Sequence, residues 1–212
     1  MQESSTTKIY DLQSFVYDHT FGRLVRQRIG RAIEHMQIKP GQTVLDVGIG
    51  TGGSLKYYPK HANVYGVDLS SGMLREARKK IEESADYDHI TVFRGNALEL
   101  PFEDSSFDHI FISHVISVVS QPELLVREAQ RVAKEGARIV ILNHFLSTNR
   151  FIAMLEKWSN PLCEKLGWRS DLALADLVAK TQIEIDYRYK LRSVDLWETV
   201  VTTNTKSALA MA

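Results

Sequence analysis

From Thr43 to Phe145, short apolar runs alternate with helical segments, and this alternation restricts the possible folds more than any other feature. The expected strands are Thr43–Val47, Asn63–Val67, His89–Arg94, Asp108–Ser113 and Arg138–Phe145. Gly53–Tyr58, Ser70–Ala85 and Pro122–Lys134 read as helices, with Ser70 or Ser71 as an N-cap and Gly136 as a stop. Near-continuous apolar strands separated by helices imply a parallel sheet covered on both faces, an α/β architecture. Beyond Phe145, Thr148–Leu166 and Asp171–Ala179 are helical, and Glu184–Leu191 and Ser193–Thr203 read as two strands with a tight connection. Such a hairpin-like end adds an antiparallel strand to the sheet.

The glycines lie where the first strand gives way to a helix, in Asp46-Val47-Gly48-Ile49-Gly50-Thr51-Gly52-Gly53. A glycine loop in that position lets a ligand approach the backbone closely and offers it free N–H groups. Two readings fit. Gly48, Gly50 and Gly53 satisfy a dinucleotide pattern, and Gly48, Gly50 and Gly52 a cofactor loop of another kind. Asp68 ends the second strand, 22 residues after Asp46, where a carboxylate can accept both ribose hydroxyls of either ligand. Asp46 favours the second reading. A carboxylate beside the loop repels a pyrophosphate but can receive an ammonium, and S-adenosylmethionine (SAM) carries an amine and a sulfonium and no phosphate. Asn96, after the third strand, can bond an adenine edge, with Ala97 and Met73 against the ring. Each has a plainer reading too: Asn96 as a turn residue, Asp68 as a helix cap, Met73 as core.

Residues 43–145 resemble the class I SAM-dependent methyltransferases. The match rests on Val44-Leu45-Asp46-Val47-Gly48-x-Gly50-x-Gly52, Gly66-Val67-Asp68-Leu69-Ser70, Asn96-Ala97 and Phe107-Asp108-His109-Ile110, in that order. The resemblance implies a Rossmann-like fold: a mostly parallel seven-stranded sheet, helices on both faces, and a C-terminal antiparallel strand. It implies SAM as cofactor, S-adenosylhomocysteine as product, and a SAM site including Asp46, Gly48, Gly50, Gly52, Asp68, Leu69, Met73, Asn96, Ala97 and Ser113. At Asn96 the family more often has Asp.

The acceptor has to be read from other residues. Tyr10, Tyr17 and Phe21 lie along one N-terminal segment, followed by Arg23, Arg26, Arg28 and Arg31, with no acidic residue between Asp18 and Glu34. With Leu24, Val25 and Ile29 these form a basic amphipathic segment suited to an anionic membrane surface, or a solvated face that packs on the domain. Asn143-His144-Phe145 ends the fifth strand, at the edge where α/β sheets bind ligands. His144 there can be a base, a donor or a packed group. Ser113 to Val119 follows the fourth strand.

Together these features resemble the soluble bacterial, Rhodobacter-type phospholipid N-methyltransferases (the PmtA type). The matching residues are Tyr10-Asp11 through Tyr17-Asp18-x2-Phe21-Gly22-Arg23, Val115 to Val119, Asn143-His144-Phe145 and Lys165 to Asp171. The resemblance implies stepwise methylation of phosphatidylethanolamine to phosphatidylcholine. Where this chain has His114, family members often have Tyr. The reading assigns catalytic roles to His144, Tyr17 and Tyr10, and substrate contacts to Tyr10, Tyr17, Phe21, Arg23, Asn143, His144 and Trp168. Aromatic faces would hold the methylated ammonium, and arginines the lipid phosphate. The sulfonium is already an activated donor, so no metal is expected. Residues 1–42 are expected to form a lid or membrane-contact segment, and 43–212 the methyltransferase domain.

Composition excludes several classes. The 212 residues suit one domain, and 26 basic against 26 acidic residues leave no net field toward nucleic acid. Any pull toward anionic lipid must be local. Cys163 has no second cysteine to pair with, which fits a reducing compartment. No apolar run approaches the ~18–20 residues that span a bilayer, and the polar start lacks a signal-peptide core. A cytoplasmic protein, peripheral to the inner membrane, is expected. The competing readings are a methyltransferase for a small soluble or quinone acceptor, a non-catalytic SAM-binding protein and a dehydrogenase.

Overall fold

A computed structural model describes residues 27–165, 168–192 and 195–205. Helix α1 covers residues 27–34 of this range. The remaining order is β1 (Thr43–Val47), β2 (Asn63–Asp68), α2 (Ser71–Glu82), β3 (Ile90–Arg94), β4 (Phe107–Ser113), α3 (Pro122–Val132), β5 (Ala133–His144), α4 (Arg150–Lys165), α5 (Leu174–Thr181), β6 (Tyr187–Tyr189) and β7 (Trp197–Thr203).

The strands form one seven-stranded sheet in the order β3-β2-β1-β4-β5-β7-β6. Strands β1 to β5 pair in parallel, and β7 inserts antiparallel between β5 and β6. The order reverses beside β1, between its partners β2 and β4, so a crevice forms beyond their carboxyl ends. Apolar side chains cover both faces. Leu45, Ile110, Ile139 and Ile141 pack with α3 residues Leu125, Val126 and Ala129 on one side. Val44, Phe111, Val140 and Leu142 pack on the other with Ile29, Ala32, Ile33 and Met36. The apolar line of α1 is thus turned into the sheet core.

Three expectations change. Gly53–Tyr58 is not an α-helix: only Leu55–Tyr57 form a 3-10 turn, because Pro59 removes the next backbone donor. Gly136 does not end α3. The helix stops at Val132, β5 starts at Ala133, and Gly136, with φ of 76°, lies in a bulged stretch where the β4–β5 register shifts. The two last strands are shorter than the apolar pattern suggests, Tyr187–Tyr189 and Trp197–Thr203. Ser70 does cap α2, accepting a hydrogen bond from the Met73 amide.

Candidate active site

A cavity of about 540 Å³ opens at the crevice beyond β1, β2 and β4. Its size falls within the range that holds drug-sized ligands. Asp46, Gly48, Gly50, Gly52, Asp68, Leu69, Met73, Asn96, Ala97 and Ser113 all line it. The topology therefore brings every described residue of the expected cofactor set to one space.

The loop's shape follows from its residues. Gly48, Gly50 and Gly52 all have positive φ. A Cβ on Gly48 would collide with Val115, and one on Gly52 would push the end of the Leu55 side chain, 2.6 Å away, so the positive φ at both positions is what chiefly favours glycine. Asp68 holds the loop against β2: its carboxylate accepts from the Gly50 amide at 2.9 Å and the Ser70 amide at 2.8 Å. Asn96 folds back on its own turn, Oδ1 accepting from the Leu98 amide at 2.9 Å. Its local turn role and its place on the cavity wall coexist.

Asp46 is buried beneath the loop, 1% exposed. It accepts hydrogen bonds from Ser54 Oγ at 2.6 Å and Tyr58 Oη at 2.8 Å. Burial pushes its carboxyl up to about 6, against the pull of those two hydroxyls and with a push from Asp68. Burial likewise raises the Tyr58 phenol, with the Asp46 charge beside it, so Tyr58 stays a donor. The sequence reading missed Ser54 and Tyr58. The available signal was their spacing, four residues apart on the segment after the glycines.

The remaining wall contains Ile29 from α1 and Phe111, His114, Val115, Val118 and Val119 from β4 and its following loop. His114 has φ of 60° and is half-buried. Desolvation, and then the nearby Arg28 guanidinium, lower its pKa to about 3, so the imidazole is neutral. Arg28 itself binds Asp195 through Nε at 2.9 Å and Nη2 at 2.8 Å, and its guanidinium lies 4.7 Å over the Trp197 ring. Trp197 in turn meets His114 edge-on at 6.2 Å.

The structure separates the other expected acceptor residues from this wall. His144 is not among the residues lining the cavity. Its Nδ1 donates to the Leu196 carbonyl at 2.8 Å and its Nε2 lies 3.3 Å from Glu156 of α4. Asn143 is fully buried and joins β5 to the β4 loop, accepting from Ser117 Oγ at 3.2 Å. Trp168 packs edge-on to His144 at 6.2 Å. His144 and Trp168 meet at the α4 side of the sheet end, while Asn143, one residue earlier on β5, is turned to the β4 loop. Tyr10, Tyr17, Phe21 and Arg23 lie outside the described residues, as do Leu24, Val25 and Arg26. Among the described residues no cluster of three or more His, Cys, Asp or Glu could hold a metal ion.

The chain matches the methyltransferase domain family over residues 45–141. It is 36% identical over 170 residues to the phosphatidylethanolamine N-methyltransferase of Cereibacter sphaeroides, covering 80% of this chain and 83% of that one. This chain belongs to the class I SAM-dependent methyltransferases. It is also 29% identical to the 2-phytyl-1,4-naphtoquinone methyltransferase of Trichormus variabilis, over 84% of this chain and 86% of the relative. A SAM-dependent methyltransferase structure from Aquifex aeolicus shares the fold, with a TM-score of 0.65 at 19% identity over 84% of this chain and 89% of that one.

The cofactor of this methyltransferase is SAM, and the residues fit it. Asp68, Asn96, Ala97 and Met73 line the cavity, and their chemistry suits a ribose and an adenine. Buried Asp46 suits the amine better than it would any phosphate. Bound there, SAM supplies an electrophilic methyl group on a sulfonium.

Proposed function

We propose that this methyltransferase transfers methyl groups to the amine of phosphatidylethanolamine, and then to its mono- and dimethyl forms, yielding phosphatidylcholine at a membrane surface. The observation that carries this reading is the 36% identity, across four-fifths of the chain, to an enzyme named for that reaction. The wall chemistry is compatible with it. An ethanolamine amine is mostly protonated near neutrality, as lysine is, with a pKa of about 10. Only the neutral amine has a lone pair to attack the methyl carbon. Ile29, Val115, Val118 and Val119 would desolvate the amine and so disfavour its ammonium form. Neutral His114 can accept a hydrogen bond from the amine and orient the lone pair, although a group with so low a pKa is a poor proton sink. Each transfer releases one proton: it passes from the ammonium to water before attack, the N–CH3 bond then forms as the S–CH3 bond breaks, and S-adenosylhomocysteine leaves. In-line positioning by the glycine loop and the β4 loop would supply most of the rate. Association with the cytoplasmic face of the inner membrane, through Arg23 and Arg26 of the N-terminal segment, belongs to the same proposal; Arg28 is taken by Asp195.

A second reading, methylation of a quinone ring carbon, is favoured by the naphthoquinone relative. The same apolar wall would suit a ring. The deciding experiment supplies methyl-labelled SAM with phosphatidylethanolamine vesicles in one arm and a demethylated quinone in the other. The expected outcome is label in mono-, di- and trimethylated head groups. Label in the quinone alone would replace the proposal.

A further inference from the structure

Helix α4 is inside out for a protein surrounded by water. At about 100° per residue, Phe151, Met154, Leu155, Trp158 and Leu162 fall on one face. That face is the exposed one: Trp158 is 83% exposed, and Phe151 and Leu162 are 65% exposed each. Ile152 extends it. The side turned to the protein is the polar one. Glu156 faces His144 and accepts from the Ser147 amide, while buried Asn160 accepts from the Ser170 amide. A surface helix ordinarily does the reverse, and a contiguous apolar patch of this kind marks an interaction site.

We propose that the exposed face of α4 is a bilayer-docking surface, which seats the apolar row in the acyl boundary of an anionic lipid surface. The inference rests on the lipid reading above and places membrane contact on an element that reading does not use. Charge selects a bilayer as the occupant. Arg150 and Lys157 are exposed at one border of the apolar arc, where cations reach lipid phosphates. The acidic residues of the helix are engaged elsewhere: Glu156 points inward and Glu164 accepts from Asn160 Nδ2 at 3.0 Å. Position agrees with this. The helix follows the carboxyl end of β5, at the same sheet edge as the cavity, and exposed Leu196 lies beside it through the His144 contact. Arg169, just beyond α4, donates its amide to the Ser117 carbonyl of the β4 loop. Docking α4 would therefore set the acceptor loop close to the lipid head groups.

The test uses the whole chain and vesicles of phosphatidylglycerol and phosphatidylcholine, which hold no methylatable amine. The combined variant Phe151→Ser, Trp158→Ser and Leu162→Ser should lose about tenfold or more in vesicle affinity, with SAM affinity by calorimetry held within about twofold. Unchanged vesicle binding by a variant that still binds SAM overturns the proposal. A second measurement covers a variant that does not fold. Brominated acyl chains should quench the tryptophan fluorescence of the parent, and Trp158→Phe should remove that quenched component while vesicle binding continues. Absence of that component overturns the proposal as well. If a second copy covers the face instead, the lipid-free parent sediments as a dimer, the combined variant as a monomer, and vesicle binding is the same for both, which also sinks it. Failure of the lipid-methylation reading would look different: vesicle binding would persist while no label entered phosphatidylethanolamine.

Discussion

As a partner for the SAM amine, Asp46 would serve the ligand at the expense of the fold. Its carboxyl in the folded chain lies near 6, above its ordinary value of 3.8, because burial removes the water that would solvate the charge. Folding therefore favours the protonated form. That contribution is complete below pH 3.8 and is lost as pH rises through about 6. The ammonium of SAM needs the opposite form. SAM affinity should thus fall as pH drops through about 6, and bound SAM should pull the Asp46 value down. Asp46→Asn keeps acceptors for Ser54 and Tyr58 but removes the buried charge. We expect it to stabilise the SAM-free chain at pH 8 by about 1–2 kcal/mol, while weakening SAM binding about tenfold or more. Calorimetry across the pH range and thermal melts measure both effects. SAM affinity that is flat between pH 5 and 8 would mean that the amine is held elsewhere.

At the scale of elements, the end of β5 and helix α4 act as one unit through His144. The ring ties the strand end to Glu156 of α4 and to the Leu196 carbonyl ahead of β7. His144→Ala and Glu156→Ala should each lower stability by about 1 kcal/mol. Combined, they should cost less than the sum, since either change removes the same contact. SAM affinity should stay within about twofold in both, because neither residue lines the cavity. A tenfold loss of SAM affinity in His144→Ala would return the histidine to the cofactor site. His144 ends β5 at the expected edge of the sheet, and its contacts are with Leu196 and Glu156 rather than with the cavity wall. Successive strand residues point to opposite faces, and the sequence did not say which face led to the cavity. Among the described residues the histidine that lines the cavity is His114, which follows β4.

Across the whole molecule, the Arg28–Asp195 pair joins the first described helix to the last strand pair, residues distant in sequence. It reaches the cavity by way of Trp197 and His114. Burial alone would raise the Asp195 carboxyl, but hydrogen bonds from Arg28 and from the Trp197 and Leu196 amides leave it below its ordinary value. A lowered value means that the charged form favours folding. The contribution is present above the ordinary carboxylate range and is lost as acid titrates the folded group. Asp195→Ala strands a largely buried guanidinium and should cost about 3 kcal/mol, with the deficit shrinking toward acid pH. A loss below about 0.5 kcal/mol would mean that Arg28 finds another anion or water. Among the described residues no helix is long and apolar enough to cross a membrane.

Local pattern alone sufficed for the strands of the parallel sheet, the start of β5 apart, for the Ser70 cap and for the place of the glycine loop with Asp46, Asp68 and Asn96 beside it, because each depends on residues close in sequence and on a short-range period. The helix end at Val132 could not be read that way. Pairing with β4 outcompetes helical continuation there and draws Ala133 into a strand. The same holds for the Ser54–Tyr58 clamp on Asp46, the separation of His144 from the cavity, the engagement of Arg28 with Asp195, and the outward apolar face of α4. These depend on which side chains meet across the sheet. Amphipathicity in a sequence says that a helix has an apolar side, and only its neighbours in three dimensions decide whether that side is turned toward the core.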